Sequence, residues 1–518
     1  MKVNPPVFTA SVALTALFVL FGALFPSSTA VVLQDVQSGI VEGFGWLYVG
    51  AVTFFLAFVL WLLVSPYGRL RLGKPTDRPQ FTRPAWFAML FSAGMGIGLL
   101  FFSVAEPLQH FAAPRDAAAG TVAAAQEAMT LTFLHWGLHA WAIYIVVGLS
   151  LAYFAYRHDL TPTVRATLYP LIGNRIHGPL GHTVDTLAVL GTLFGVATSL
   201  GLGALQINAG LAHVGLLPQT ATVQLLVIAA ITGLTILSVA SGLDQGMRRL
   251  SLASMALSLV FALFVLVTGP TLVLLRSTLE SVGLYFQDLI QLSLRTDSFR
   301  TPDWQADWTL FYWGWWIAWA PFVGMFFARI SRGRTIREFI MGVLFVPPAL
   351  TFAWMVIFGH TAIVFDLMGG VGLAQVATEN PSIALFALLA ELPLTPALVG
   401  LAFLVIVGFF VTSSDAGSQV MDILTSGAQA DRPAYQRLVW AGSQGAVAGT
   451  LLLSGGLAAL QTGVLVTALP FTFILLIMSY GLIRGLRTER VTLSRTSPWG
   501  EQAMPGSEAD DEEETTDG

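Results

Sequence analysis

Apolar stretches of about 20 residues recur along this chain from end to end, and they restrict its possible folds more than any other feature. A helix of that length crosses a hydrocarbon core of about 30 Å. The stretches are continuously apolar and do not alternate, which excludes a membrane β-barrel. Only 11% of the residues are charged and 55% are hydrophobic. We therefore predict an all-α protein that crosses the membrane many times.

Charged residues and clusters of proline and glycine separate these stretches into twelve predicted transmembrane helices. They lie at residues 8–25, 45–64, 85–104, 128–154, 183–203, 220–239, 248–275, 307–327, 340–365, 395–424, 435–456 and 459–483. Residues 276–300 alternate apolar and polar side chains at helical spacing, which predicts an amphipathic helix on the membrane surface. The acidic run from Glu508 to Asp517 predicts a disordered tail.

The basic residues predict how these helices are oriented. If both termini lie in the cytoplasm, all but four of the 25 Lys and Arg residues fall on the cytoplasmic side. Cytoplasmic loops of membrane proteins are rich in Lys and Arg. We therefore predict a multi-pass protein of the inner, or cytoplasmic, cell membrane with both termini in the cytoplasm. The four exceptions are Arg115, Arg276, Arg295 and Arg300.

Two predicted helices contain residues that weaken a helix at membrane depth. Helix 3 has glycines at alternate positions, Gly94, Gly96 and Gly98, and helix 8 has Pro321 and Gly324. Interrupted helices expose carbonyls that need a partner, and many transporters build a midplane site from them. Because the two helices are five apart, we predict an inverted repeat of helices 3–7 and 8–12. The alternative is that the glycines only let helices pack closely.

This repeat divides the chain into five segments. Residues 1–84 hold the N-terminus and the peripheral helices 1 and 2, and residues 85–275 form the first repeat. Residues 276–306 form the surface helix and a linker, residues 307–484 the second repeat, and residues 485–518 a cytoplasmic acidic tail.

Aromatic residues concentrate within helices 4 and 8, at a depth that does not suit an interfacial belt. At about 100° per residue, one broad face of helix 4 presents three of them, and three more precede Pro321 on helix 8. A quaternary ammonium offers no hydrogen bond, but each ring face attracts it by about 0.5–2 kcal/mol. The pattern predicts a binding site for such a cation, with packing alone as the alternative. The residues are Trp136, Trp141, Tyr144, Trp315, Trp316 and Trp319.

Helix 10 carries consecutive hydroxyls that could bind a small cation. Thr412 and Ser413 follow Phe409 by three and four residues, and they could join free carbonyls of helix 3 as hard oxygen ligands. The alternative is that these hydroxyls bond back to their own helix. The chain has no cysteine, which excludes disulfides and thiolate sites. We predict no enzymatic activity, no cofactor and no nucleic-acid partner.

Ionisable residues in or near membrane spans are candidates for function by default. Asp415 could carry a proton, although a cap or a helix–helix bond is the simpler interpretation, and the histidines of helix 4 could brace the aromatic segment. These residues are Glu106, His135, His139, Asp185, His360, Asp415 and Asp422.

The glycines of helix 3, residues 135–144 and the segment from Trp308 through Arg337 together resemble the betaine/choline/carnitine transporter family. The resemblance covers about residues 8–490. It implies a LeuT-type core of ten helices preceded by two others, in a homotrimer to which the amphipathic helix contributes contacts. It also implies an aromatic cage for a trimethylammonium group, formed by Trp136, Trp141, Tyr144 and Trp316.

The resemblance implies further substrate and ion contacts. Trp319 would contact substrate on the inward path, with Trp315 and the helix 3 residues Met95, Gly96 and Gly98 as additional contacts. A sodium ion would bind helix 3 near Ser92 and Met95 together with Phe409, Thr412 and Ser413. A second proposed sodium site would use Thr192 and Phe322, but the third position is Val196, which has no ligand oxygen.

Two features favour different substrates. Choline carriers of the family often have an aspartate where this chain has Gly98, so Gly98 favours a zwitterion such as glycine betaine. Residues 101–107 instead resemble the proton-coupled choline branch. We predict sodium symport of a betaine-type solute, with proton-coupled choline transport as the alternative and a channel or receptor as a different class. Betaine, carnitine, dimethylsulfoniopropionate and ectoine remain open.

Overall fold

The computed structural model describes residues 4–94, 96–241, 244–300, 303–428 and 433–495. These ranges are helical apart from turns and a single β-bridge between Arg71 and Thr335. The helices are α1 (Pro5–Leu24), α2 (Pro26–Val64), α3 (Arg83–Gly94), α4 (Ile97–Ala112), α5 (Val122–Trp136), α6 (Leu138–Arg157), α7 (Tyr169–Ile172), α8 (Pro179–His213), α9 (Ala221–Ser241), α10 (Asp244–Thr268), α11 (Thr271–Ser293), α12 (Asp303–Gln305), α13 (Phe311–Ile330), α14 (Ile336–Met355), α15 (Thr361–Gly369), α16 (Leu373–Glu379), α17 (Ala384–Ala390), α18 (Thr395–Thr425) and α19 (Ala434–Arg495).

Long apolar helices confirm a polytopic membrane protein. In the described ranges, ten helical segments are long and apolar enough to cross a membrane, and the bent pair α3 and α4 would make eleven. The last segment, α19, has 62 residues and leaves helical geometry at Gly455 and Gly456. Gly456 has φ 61°, a left-handed conformation that glycine adopts without strain. The predicted tail from residue 496 onward lies outside the described residues.

The predicted interruption of helix 3 is present. α3 ends at Gly94, α4 begins at Ile97, and their axes meet at 67°. Met95 lies outside the described residues. α4 continues to Ala112, beyond the predicted end at residue 104, and contains Pro107.

The prediction that helix 8 is interrupted is wrong, because the corresponding α13 is a continuous helix. α13 continues from Phe311 to Ile330 through Pro321, preceded by one π-helical turn at Ala306–Leu310. Packing maintains the helix, because Pro321 and most of its neighbours are buried. Gly324 faces α6, where an added Cβ would overlap Val147. This glycine therefore permits close helix packing and does not unwind the backbone.

Helix 4 contains a break that the sequence analysis missed. α5 ends at Trp136 and α6 begins at Leu138, with Gly137 between them at φ −96° and ψ −141°. A Cβ on Gly137 would overlap the Phe133 carbonyl oxygen and crowd the ring of Phe352. The close approach of Phe352 from α14 thus requires glycine at this position.

Three other predictions need adjustment. Predicted helix 7 ends too late, because α10 stops at Thr268 and Gly269-Pro270 separates it from α11. The surface helix therefore begins at Thr271, five residues before its predicted start at residue 276. Between α15 and α18, the short helices α16 and α17 lie where no helix was predicted.

Burial distinguishes central helices from peripheral ones. The difference is clear in the 18 most apolar consecutive residues of each membrane-spanning segment. In residues 122–157 and in residues 303–330, 94% of them are buried, against 22% in α1 and 17% in α9. α5, α6 and α13 therefore form the centre of the protein. They are also the helices that carry the aromatic residues.

Candidate functional site

The aromatic residues predicted on helices 4 and 8 meet where α5, α6 and α13 pack together. The rings of Trp136 and Trp316 lie edge to face with centroids 5.0 Å apart, and Tyr144 lies 6.4 Å from Trp316. Trp141 contacts Tyr144 at 5.7 Å. Trp315 stacks on Trp316 at 4.9 Å with the ring planes 10° apart. The structure thus brings the four predicted cage residues into one cluster.

Hydrogen bonds orient the indoles of this cluster. Trp316 Nε1 donates to the His135 carbonyl at 2.8 Å, and Trp141 Nε1 donates to the Trp136 carbonyl at 3.3 Å. Trp136 Nε1 donates to the Glu106 carboxylate at 2.8 Å. Because the N–H edges are engaged, the ring faces are the surfaces left for a ligand. Ring faces are what a cation–π interaction requires.

The cage is closed in this structure. The exposed fractions of its four side chains lie between 3% and 6%. A ligand of the size of a trimethylammonium group can enter only if the surrounding helices separate. The site therefore requires a conformational change before a ligand can enter.

Two glycines of helix 3 allow the indoles of α13 to approach α4. A Cβ on Gly98 would overlap the six-membered ring of Trp315, and a Cβ on Gly96 would lie 3.3 Å from Trp319 Cη2. Trp315 and Trp319 contact each other at 6.2 Å. The geometry gives Gly96 and Gly98 a packing role, while their predicted substrate contacts, like that of Trp315, stay predictions.

A cavity of about 700 Å³ reaches Trp319, which contacts Trp315 of the aromatic cluster. It extends from Phe81, next to the start of α3, to Trp319 in the middle of α13. Its walls are mostly apolar, and the polar groups are hydroxyls. The residues of the predicted ion sites that line it are Ser92, Phe409, Thr412, Ser413 and Phe322.

The hydroxyls of α18, which corresponds to predicted helix 10, can still bind a cation. Thr412 Oγ1 donates to the Gly408 carbonyl at 2.9 Å and lies 3.2 Å from the Phe409 carbonyl oxygen. This bond matches the alternative interpretation, in which the hydroxyl bonds to its own helix. A hydroxyl that donates its proton still has lone pairs for a cation, so both functions are compatible.

The residues predicted for a second sodium site lie in different surroundings. Phe322 lines the cavity and contacts Trp319 at 5.7 Å. Thr192 is buried in α8, its hydroxyl has no hydrogen-bond partner among the described residues, and it is not part of the cavity wall. The side chain of Val196 packs near Gly417. A second sodium site stays a prediction.

The site also contains residues that sequence reasoning left out or did not place. Tyr312 donates to Glu106 and contacts Trp316 at 5.7 Å, and Phe327 stacks on Trp141 at 6.1 Å. Tyr312 precedes Trp316 by four residues, so helical periodicity places it on the same face. That spacing was the available signal for Tyr312.

The charged residues near the spans are mostly paired. Asp415 accepts from Gln419 at 2.8 Å and lies 3.4 Å from Arg437 of α19. This arrangement matches the interpretation of Asp415 as a helix–helix contact. Asp185 is fully buried and lies 3.1 Å from Arg165.

The arginines that follow α13 hold the loop between α2 and α3. Arg337 donates to the Leu63 carbonyl at 2.9 Å, and Arg332 lies 3.2 Å from Asp77. The backbone N–H of Lys74 and the Arg332 guanidinium lower the pKa of Asp77 below its usual value. These arginines therefore anchor the segment between α2 and α3, and Asp77 is the acidic partner of Arg332.

Known proteins that resemble this chain are membrane transporters. The sequence profile of the betaine/carnitine/choline family transporters matches residues 6–491. The glycine betaine transporter OpuD of Bacillus subtilis is 43% identical over 502 residues, covering 96% of this chain and 98% of that protein. A glycine betaine transporter of Acinetobacter baylyi is 42% identical over 503 residues, covering 96% and 76%. The high-affinity choline transport protein of Escherichia coli is 39% identical over 492 residues, covering 94% and 73%.

The family profile covers nearly the whole chain, including the helices that carry the aromatic cage and the hydroxyls of α18. The matches with the two glycine betaine transporters each cover 96% of this chain, so the similarity also extends over nearly all of its helices. This chain therefore belongs to the betaine/carnitine/choline family, and it is a membrane transporter and not an enzyme.

Proposed function

We propose that this protein imports a quaternary-ammonium compatible solute, with glycine betaine as the first candidate, by sodium symport. The observation that carries the proposal is the contact of Trp316 with both Trp136 and Tyr144. Their π faces supply attraction to a trimethylammonium group that forms no hydrogen bonds. Relatives named as glycine betaine transporters cover this site.

The route to the cage is the cavity that ends at Trp319. It begins near Phe81 at the start of α3, the side that the basic residues mark as cytoplasmic. The closed cage with an open inner cavity corresponds to an inward-facing state. Transport then requires an outward-facing state in which the cage opens to the other side, as in alternating access.

The coupling ion would bind where the interrupted α3–α4 pair faces α18. Ser92, Thr412 and Ser413 line one cavity, and their oxygens suit a small alkali cation. An ion bound there would hold the α3–α4 pair against α18 and favour the outward-facing state, in which substrate can reach the cage. Coupling follows if each ligand binds one state better in the presence of the other.

We infer twelve spans in a LeuT-type arrangement of two five-helix repeats, helices 3–7 and 8–12, after two peripheral helices. Support comes from Gly455 and Gly456, which divide α19 into two helices and raise the eleven spans of the described ranges to twelve. The low burial of α1 agrees with a peripheral position. The continuous α13 means that only the first repeat begins with an interrupted helix.

The assembly we propose is a homotrimer in the cytoplasmic membrane with both termini in the cytoplasm. α11 exposes a row of large apolar side chains that needs lipid or a second copy as a cover. Crosslinking of purified protein in lipid nanodiscs tests this, because a trimer gives a three-chain product and a monomer does not. The exposed residues include Leu279, Phe286 and Ile290.

Uptake of radiolabelled glycine betaine into proteoliposomes tests the function. An inward sodium gradient, an inward proton gradient or neither is imposed at fixed osmolality. Accumulation that requires sodium supports the proposal. Accumulation driven by protons supports the choline-type alternative, draws attention to Glu106 and Asp415, and makes choline the next substrate. Equilibration without accumulation under every gradient contradicts a symporter and favours a channel.

A further inference from the structure

A single buried carboxylate lies directly behind the aromatic cage. Glu106 of α4 is completely buried. Among the described residues, the ionisable groups within ion-pair distance of it are His135, at 2.7 Å, and His110, at 3.5 Å. An uncompensated carboxylate at this depth is costly, which makes it a candidate for function.

Both oxygens of this carboxylate face hydrogen-bond donors. Oε2 accepts from Trp136 Nε1 at 2.8 Å and from the Tyr312 hydroxyl. Oε1 lies 2.7 Å from His135 Nδ1. An indole N–H can only donate, and imidazole has a tautomer that donates through Nδ1. Several donors stabilise the charged form of a carboxylate, so the group carries one negative charge if the imidazoles are neutral.

This carboxylate is connected to two walls of the cage. Trp136 bonds it directly. Trp316 donates to the main-chain carbonyl of His135, the residue whose imidazole bonds the same carboxylate. A cation on the face of Trp136 would therefore have a negative charge beyond the edge of that ring, in surroundings with little water to screen it.

We propose that Glu106 is a specificity-determining residue, whose buried charge attracts the head group through the cage and favours a net cation over a zwitterion. The inference rests on the proposed function and adds the electrostatic origin of selectivity. Position 98 cannot supply this charge without moving Trp315, because the ring occupies the space of a side chain there. A zwitterion gains less from Glu106, since its own carboxylate is repelled by the same charge.

The test compares a cation and a zwitterion that share the trimethylammonium group. Inhibition constants of unlabelled choline and unlabelled glycine betaine are measured against uptake of labelled glycine betaine, in wild type and in Glu106→Gln. The amide keeps an acceptor for Trp136 and can donate to a neutral imidazole, so the variant removes charge with little change of shape. We expect both inhibition constants to rise in Glu106→Gln. The inhibition constant of choline divided by that of glycine betaine should rise about five- to tenfold.

Two other variants separate charge from structure. Ser103→Ala, on the same helix, removes a buried hydroxyl that donates to the Leu100 carbonyl of its own helix, and it should leave the ratio unchanged. Glu106→Asp keeps the charge but withdraws it from Trp136, so the ratio should change in the same direction by less. A ratio is independent of how much protein is active, and Glu106→Asp carries the test if the glutamine variant does not assemble.

An unchanged ratio in Glu106→Gln, or in Glu106→Asp when only that variant assembles, overturns the proposal. Equal loss of affinity for both ligands means that Glu106 only supports the structure, which also overturns it. Absence of uptake and of binding by wild type contradicts the proposed function itself. That result differs from wild-type uptake with an unchanged ratio in the variants, which contradicts this inference alone.

Discussion

Trp316 holds the central position among the aromatic residues, because it contacts Trp136, Tyr144 and Trp315. Its N–H is used by the His135 carbonyl, so its face is what a ligand can use. At the scale of single residues, the ring faces and the hydroxyls of α18 can be tested separately, because they lie on different helices.

Replacing Trp316 by leucine should weaken substrate binding without preventing assembly. One ring face contributes about 0.5–2 kcal/mol to a bound quaternary ammonium, so the KM for glycine betaine should rise about 2- to 30-fold. Trp316→Phe keeps an aromatic face and should lose less. Uptake kinetics in proteoliposomes measure the effect, and size-exclusion chromatography checks assembly.

Trp46→Leu is the matched control for this change. Trp46 lies in α2 and is 64% exposed, whereas the cage residues are buried. Its replacement should leave the KM unchanged. An unaltered KM in Trp316→Leu would contradict the assignment of the cage.

Replacing Thr412 by valine should affect the ion more than the substrate. Valine has nearly the same shape but no oxygen ligand, so the sodium concentration for half-maximal uptake should rise about tenfold. The KM for glycine betaine at saturating sodium should change little. The dependence of uptake on sodium concentration measures both quantities.

Thr472→Val serves as the control for the threonine change. Thr472 in α19 is buried, and its hydroxyl bonds the Ala468 carbonyl of its own helix. Its replacement should leave the sodium dependence unchanged. If both variants retain the wild-type sodium dependence, Thr412 is not a ligand of the sodium ion.

At the scale of elements, glycines decide how closely the helices of the site approach. Gly98 allows the Trp315 ring onto α4, Gly324 allows α13 onto α6, and Gly137 allows Phe352 against the end of α5. In each case a side chain from another helix occupies the space of a missing Cβ. These glycines therefore act through packing, in the manner known for membrane helices.

Gly98→Ala should destabilise the contact between α4 and α13. The added methyl overlaps Trp315, and overpacking of this kind costs about 1–3 kcal/mol. We expect a lower midpoint in thermal unfolding, measured by intrinsic fluorescence in detergent, together with a higher KM. Gly39→Ala in α2 meets open space and should leave both quantities unchanged. Wild-type stability of Gly98→Ala would show that Trp315 does not pack there.

At the scale of the whole molecule, backbone hydrogen bonds join two loops that are far apart in sequence. Leu70 and Leu72 form backbone hydrogen bonds with residues 334 and 336, and Arg71 donates to the Gly333 carbonyl at 2.8 Å. The loop before α3 is thus fixed to the turn after α13. Movement of α3 in a transport cycle would be transmitted through this connection.

Asp77 should make this connection sensitive to acid. Its folded pKa is lowered by the Lys74 N–H and by Arg332, so its stabilising effect is complete above the usual Asp pKa. The effect is lost as the pH falls through the lowered folded value. Asp77→Asn should therefore lower the thermal midpoint at pH 7, and the difference from wild type should shrink as the pH falls below 4. Thermal unfolding between pH 3 and 7 measures it, and a difference that is independent of pH contradicts the argument.

The sequence by itself determined the class of the protein, because the length and apolarity of its helices leave no alternative to a polytopic membrane protein. Helical periodicity likewise predicted that Trp141 and Tyr144 share a face, since rotation per residue is a local property. Trp136 was predicted on the same face, but it lies on α5, on the other side of the break at Gly137, so packing decides its place in the cluster. Hydropathy resolved neither the break at Gly137 nor the continuity of α13 through Pro321. Both depend on neighbours that pack from other helices.

Only the tertiary structure decided how the site is assembled. Glu106 and Tyr312 are 206 residues apart, and their contact exists because side chains of α4 and α13 meet next to the cage. No periodicity within one helix contains that information. A buried carboxylate also looks the same in sequence whether it pairs with an arginine, caps a helix or holds an indole. Its role follows from which donors the fold brings to it.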